Sequence, residues 1–320
     1  MSFYKNNPKT GEKVEPKDYK VNQEVRSGDN RVRLGQLIDS GTFGEIRKGV
    51  ILGTNERVIV KLEPNHKKQL EVEYQICKAL DKDDGFPRVY FYCKWNEYNV
   101  LVTEVLGPSL SEMFDTHNSQ FNPKTELYIV FQLIHRIEKL HELGFIIRDI
   151  NPDTLVLGPK HTKKESIIHF TDFSLVKRYT SDPNNPQKHI PMTSGRSLNS
   201  WPRYASINAH LGLEVSRRDD MESIGYLIVY FATHGKLLWT DLGFTKDVNQ
   251  KIGEYKRCTP IERLCSDIPN VYAKYLRIVR SLEFDETPEY LKLKLMFYQH
   301  FLDAELEDDG LYIWSTNAPK

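Results

Sequence analysis

From Arg31 to about Glu104 hydrophobic and polar residues alternate with a period of two, in RVRLGQLI, EIRKGVI, RVIVKLE, RVYFYCKW and YNVLVTEV. Successive side chains of a strand point to opposite faces, so this alternation predicts strands with one buried face. One stretch breaks the run, KKQLEVEYQICKAL. There Leu70, Tyr74 and Cys77 share a helical face, with Val72, Ile76 and Leu80 close by. A small sheet with one packed helix is expected.

After GPSL (Gly107–Leu110) the texture changes. TELYIVFQLIHRIEKLHELG and SIGYLIVYFATHG are long and apolar enough for buried helices. Further helices are expected in TPIERLCSD, NVYAKYLRIVRSL and PEYLKLKLMFYQHFLDAEL. Residues 1–28 are polar and lack an apolar period, which predicts an extension that is disordered or docked onto something. The expected organisation is that extension, a β-rich lobe over about 29–104, a helical lobe over about 108–305 and a tail at 306–320. A short connector near Thr103–Pro108 joins the lobes. The fold class is α+β.

The bulk numbers narrow the function. Lys+Arg and Asp+Glu each number 44, so charge balance gives no reason to expect nucleic acid or an anionic membrane as partner. Lys160, Lys163 and Lys164 read as a solvated hairpin tip. No apolar run approaches the ~20 residues a bilayer requires, and MSFYKNNPKTGEK lacks the apolar core of a secretory signal. Cys77, Cys93, Cys258 and Cys265 show neither CxxC pairing nor zinc spacing. The expectation is reduced thiols in a cytoplasmic protein.

Four stretches carry chemistry. In DSGTFGEI, Gly41 and Gly44 let backbone N–H groups come close to a phosphate. In VIVKLE, Lys61 follows a strand alternation, and Glu73 on the next helix is placed to pair with it. RDINPDT supplies Asp149, suited to accept a proton from an attacking hydroxyl. After a hairpin-like segment, TDFS supplies Asp172, suited to ligate Mg²⁺. Each is unremarkable alone; their order and spacing together are not.

This layout resembles a eukaryotic protein kinase, and within it the casein kinase 1 family. The phrases that carry the resemblance are QLEVEYQICKAL, YNVLVTEVLGPSLSEMF, RYASINAHLGLEVSRRDDMESIGY and TPIERLC. It covers about residues 30–305 and implies a bilobal protein kinase fold with ATP and Mg as cofactors. It also implies roles. Gly41 and Gly44 would cover the phosphates, and Lys61 with Glu73 would orient them. Thr103 would control the back of the adenine pocket, with Glu104 to Leu106 as the hinge. Asp149 would be the catalytic base and Asp172 the metal ligand, while Asp220 would anchor the catalytic loop.

The departures from the family pattern gather around the triphosphate. Asp39 stands at the first glycine of the phosphate loop. Its charge near phosphate oxygens would repel by ~1 kcal/mol at about 4 Å in water. Ile147 replaces a His, Asn151 replaces the loop Lys, and Thr154 replaces the Asn that holds Mg²⁺. Ser174 replaces a glycine, which disfavours positive φ and stiffens the metal loop. Losing the groups at Asn151 and Thr154 predicts a rate deficit on the order of 10³ to 10⁴. Arg203 and Arg196 match basic positions of the family's anion pocket, with Lys251 as a further cation. Asp241 puts negative charge where the family carries a glycine.

Two readings follow. The leading one is a pseudokinase, a casein kinase 1 fold kept as a binding or structural module for a protein partner. The alternative is a divergent, weakly or selectively active serine/threonine kinase acting on a protein substrate. The sequence names neither partner nor oligomeric state.

Overall fold

The structure, a computed structural model, describes residues 22–41, 44–182, 188–242 and 247–315. It divides into two compact units, the first ending at Leu106 and the second beginning at Gly107.

In the first unit β1 (Glu24–Ser27), β2 (Asn30–Gly41), β3 (Gly44–Ile51), β4 (Arg57–Pro64), β5 (Val89–Trp95) and β6 (Tyr98–Glu104) form one antiparallel sheet. Its order is β1-β2-β3-β4-β6-β5. The alternation read from the sequence becomes one buried face. Val32, Leu34, Val58, Val60, Leu62, Phe91, Val100 and Val102 form its core together with Val25. Each such side chain taken out of water contributes about 1.5–3 kcal/mol. The one helix among the described residues of this unit, α1 (Gln69–Ala79), buries Leu70, Glu73, Ile76 and Cys77.

The extension expected over residues 1–28 is corrected at its end. Glu24–Ser27 is β1, paired with Asn30–Arg33 through a turn at Gly28, whose φ is 58°. One apolar residue in a polar stretch, the fully buried Val25, ties it to the sheet. Residues 1–21 lie outside the described residues.

The second unit opens with α2 (Leu110–Thr116) and α3 (Pro123–Glu142), followed by β7 (Phe145–Ile146), β8 (Leu155–Leu157), β9 (Ile168–Phe170) and β10 (Lys177–Arg178). Then come α4 (Ile207–His210), α5 (Arg217–Ala232), α6 (Val248–Cys258), α7 (Ile261–Leu264), α8 (Asn270–Arg280) and α9 (Tyr290–Asp303). The hairpin-like segment between the two expected site acids is β8 paired with β9. Helix α5 opens on the charged RRDD, is apolar from Ile224 to Ala232, and is buried from Met221 to Val229. Gly225 lets α8 approach, since a Cβ there would lie 2.5 Å from Leu276 Cδ2. The tail expected from residue 306 belongs to the fold as far as Ser315. Tyr312 stacks on Tyr128 with centroids 3.6 Å apart, and Ile313 N–H donates to Thr125 Oγ1 at 3.1 Å. No helix among the described residues is long and apolar enough to cross a membrane.

Candidate active site

In the first unit the expected pair forms. Lys61 Nζ lies 2.6 Å from Glu73 Oε1, and the Glu73 side chain is 3% exposed. The strand fixes the lysine and the buried face of α1 fixes the glutamate, so the ammonium is held by fold-forming elements. Burial, then the charge of Glu73, pushes the neighbouring Cys77 thiol far up, which keeps it unreactive.

Gly41 and Gly44 face each other across the β2–β3 turn; Thr42 and Phe43 between them lie outside the described residues. Gly44 has φ of 142°, and a Cβ there would sit 2.0 Å from the Leu62 carbonyl oxygen. The sheet itself therefore demands this glycine. Asp39 turns its carboxylate back, accepting from Ser40 N–H at 2.8 Å, and partial burial raises its pKa. Thr103 is buried, paired with Ile59 and Val89. Glu104 is tied to Arg88 twice. Its N–H donates to the Arg88 carbonyl at 3.0 Å, and its carboxylate accepts from Arg88 N–H at 2.7 Å. Leu106, half-buried, ends the unit.

In the second unit the first turn of α5 does the positioning. Asp219 accepts from Ser216 N–H at 2.7 Å, Ser206 Oγ at 2.7 Å and Asn208 Nδ2 at 3.0 Å. The SIN phrase thus supplies hydrogen-bond partners to a buried acid. Asp220, 2% exposed, accepts from Ile147 N–H at 2.8 Å and Arg148 N–H at 2.9 Å. His141 Nε2 lies 3.0 Å from the same carboxylate, and its Nδ1 is 2.6 Å from Tyr290 Oη. An ionised Asp220 can only accept, so Nε2 carries the proton and Nδ1 accepts from the tyrosine. Burial outweighs Asp220 and lowers the His141 pKa, keeping the ring neutral. The anchor holds Arg148 at φ of 68°, a left-handed conformation uncommon for any residue that carries a Cβ. Ile147, where the family has a His, is buried.

Asp149 follows on this anchored loop. Its Oδ1 accepts from Trp201 N–H at 2.8 Å and its Oδ2 from Asn151 Nδ2 at 3.2 Å. Removal from water raises its pKa to about 6, opposed by the Trp201 bond and reinforced by the charge of Asp172. Asn151 is buried, and its Oδ1 caps the turn by accepting from Asp153 N–H at 3.0 Å and Thr154 N–H at 3.3 Å. Thr154 Oγ1 donates back to the Asn151 carbonyl at 3.1 Å. Asp172 Oδ1 accepts from Ser174 N–H at 2.8 Å. The expected stiffening at Ser174 is corrected in its cause: Ser174 is not among the residues with positive φ, so it has no strain to resist.

The donor set fits one magnesium ion. Mg²⁺ is commonly held by one or two carboxylates plus substrate phosphates, and Asp172, with Asp149 close enough to perturb, would supply the carboxylate end. Thr154 faces its own turn. Among the described residues no cluster of three or more His, Cys, Asp or Glu forms a metal cage.

Arg203 and Arg196, the basic residues matched to the family's anion pocket, have different partners. The Arg196 guanidinium lies 2.7 Å from Glu214, which also holds Lys177 at 2.6 Å. Both basic residues line a cavity together with Arg148, whose Nε donates to the Leu175 carbonyl at 2.5 Å. Arg203 instead lies over the Tyr230 ring, 5.8 Å from its centroid. Asp241 and Lys251 are both exposed. The sequence reading missed His141, Trp201, Lys177 and Glu214. Only the histidine in the last turn of an apolar helix left a local signal.

Residues 32–276 match the family model described as protein kinase domain. Over 289 residues, 88% of this chain, the sequence is 39% identical to casein kinase I homolog 3 of Schizosaccharomyces pombe. The chain spans 65% of that relative's length.

Proposed function

The chain belongs to the protein kinase family, and from that premise we propose that it is a casein kinase 1-type serine/threonine kinase with slow turnover. It binds ATP with magnesium and transfers the γ-phosphoryl group to a protein hydroxyl. The observation that carries this reading is the state of Asp149. It sits on an anchored loop, is oriented by Trp201 and Asn151, and has a pKa of about 6. At neutral pH such a carboxylate is ionised yet basic enough to take a proton.

The substrate hydroxyl oxygen bonds to the γ-phosphorus as the bond to the β–γ bridging oxygen breaks. Asp149 receives the hydroxyl proton and ADP leaves. Lys61, held by Glu73, orients phosphate oxygens, and Gly41 and Gly44 line the phosphate loop. Thr103, Glu104 and Leu106 border the adenine. Magnesium, held by Asp172, would neutralise developing charge on the phosphates.

The departures slow this chemistry without removing it. Asn151 cannot supply the charge of a lysine, but its amide orients the base. One missing charge-stabilising group costs roughly 10²-fold, against kinase turnover of ~1–100 s⁻¹. A second reading, a binding module stabilised by nucleotide, draws on the burial of Asn151 and on the backward turn of Thr154. A thermal-shift titration with ATP, with and without Mg²⁺, run beside labelled phosphate transfer to casein separates the two. A metal-dependent shift with transfer lost in Asp172→Ala supports the kinase. A shift with transfer no greater than in Asp172→Ala supports the module.

A further inference from the structure

Ten large hydrophobic side chains are exposed among the described residues, and four of them lie on α9. These are Leu291 at 64%, Leu295 at 55%, Tyr298 at 51% and Leu302 at 49%. Their spacing of four, three and four residues puts them on one stripe, the seam pattern of paired helices. The other face of α9 is already used, by buried Tyr290, Leu293 and Phe297. A helix apolar on two faces is one with a neighbour on each. Tyr298 is held flat, its ring parallel to Phe301 with centroids 6.4 Å apart and its edge against Phe131. A shallow depression lined by Glu138, Pro288, Leu291 and Leu295 continues the stripe at its N-terminal end.

We propose that this stripe docks a second copy of the chain, α9 against α9, antiparallel about a two-fold axis. Two features of the helix select that occupant. The first is self-complementarity. An axis that sets Leu295 against the partner's Tyr298 also sets Leu291 against the partner's Leu302, because both pairs share one midpoint. The same patch then serves both copies, as a two-fold interface requires.

The second feature is charge. Lys292 and Lys294 lie in the N-terminal half, while Asp303, Glu305, Glu307 and Asp308 follow at and beyond the C-terminal end. Antiparallel pairing brings the lysines toward the acids, and parallel pairing sets like against like. Within one copy Lys292 bonds Glu289 and Lys294 bonds Glu138. The first of these pairs is exposed at both ends, and such pairs exchange at little cost. A single helix pair buries less than the ~1,600 Å² of a standard interface, so the association is reversible and concentration-dependent.

Sedimentation velocity of the full chain from about 1 to 300 µM tests this, on the wild type, Leu295→Glu, Lys292→Glu and the double variant Lys292→Glu/Asp303→Lys. The wild type should shift from monomer to dimer across the range. Leu295→Glu should raise the dissociation constant at least tenfold without changing the melting temperature, because that side chain is exposed in the single copy. Lys292→Glu should weaken the dimer several-fold, and the double variant should recover most of the loss. A wild type that stays monomeric throughout overturns the proposal. So does a dimer indifferent to Leu295→Glu. A monomer destabilised by Leu295→Glu would also overturn it, showing that a segment of the same chain covers the stripe.

Discussion

Asp220 and Asp149 are acids of the same unit, the first anchoring the loop at Ile147 and Arg148 and the second next along it, and their surroundings differ. Asp220 is 2% exposed and faces three donors, two of them backbone N–H groups and the third His141. Asp149 has one backbone donor and one amide at the longer distance of 3.2 Å, and lies near a second acid. The first arrangement satisfies a buried charge and so stabilises the fold. The second leaves a charge under-satisfied, which costs stability and is the condition a proton acceptor needs. Framework and chemistry are therefore separable here, and the substitutions around Asn151 fall on the second.

The largest effect is expected at the anchor. Asp220→Ala strands buried N–H groups and should lower stability by about 3–5 kcal/mol in urea unfolding. A loss under about 1 kcal/mol would erase the contrast between the two acids. Glu126 sharpens it from the other side. This acid is buried against Tyr272 Oη at 3.0 Å, its pKa is raised to about 7 by burial, and it lies outside the candidate site. A carboxyl whose folded pKa lies above its unfolded one binds more protons when folded, so stability falls as pH rises between the two values. Glu126→Gln should therefore stabilise by on the order of 2 kcal/mol above pH 7 and by almost nothing below about pH 4. Equal gain at both pH values would remove the titration as cause.

The same sign applies to Asp149 and yields opposite trends. Its raised pKa of about 6 makes stability fall as pH rises from about 4 to 6, whereas base catalysis should rise through about 6. Bound magnesium near Asp172 should shift the kinetic inflection downward. An activity profile flat between pH 5 and 8 would speak against Asp149 as base. The smallest effect is expected from Asn151→Lys. It restores a cation but removes the amide that orients Asp149 and the Oδ1 that caps the turn. The maximal rate should therefore rise only about tenfold, out of the roughly 10²-fold that one charge-stabilising group supplies.

Much of the scaffold was legible, because burial leaves a periodic trace. The alternation of β2 to β6 and the apolar run from Ile224 to Ala232 in α5 are such traces. Helix α6 left almost none, with Ile252 its only buried large apolar residue, and β1 rests on Val25 alone. The site was legible only as residue types in order. The family resemblance singles out Asp220 in RRDD, since nothing local tells it from its neighbours. Its partner His141 is 79 residues away. Trp201 meets Asp149 through its backbone N–H, which no side-chain pattern encodes. Arg196 and Arg203, both matched to basic positions of the family, have different partners in the fold, and nothing in the residue types tells them apart.

The most direct measurement is single-turnover phosphoryl transfer from saturating Mg–ATP to a casein substrate, wild type against Asp149→Asn, at pH 7.5. The account predicts a wild-type rate below ~1 s⁻¹ and at least about 10² times that of a folded, ATP-binding Asp149→Asn. Equal rates in two proteins that both bind nucleotide would contradict it.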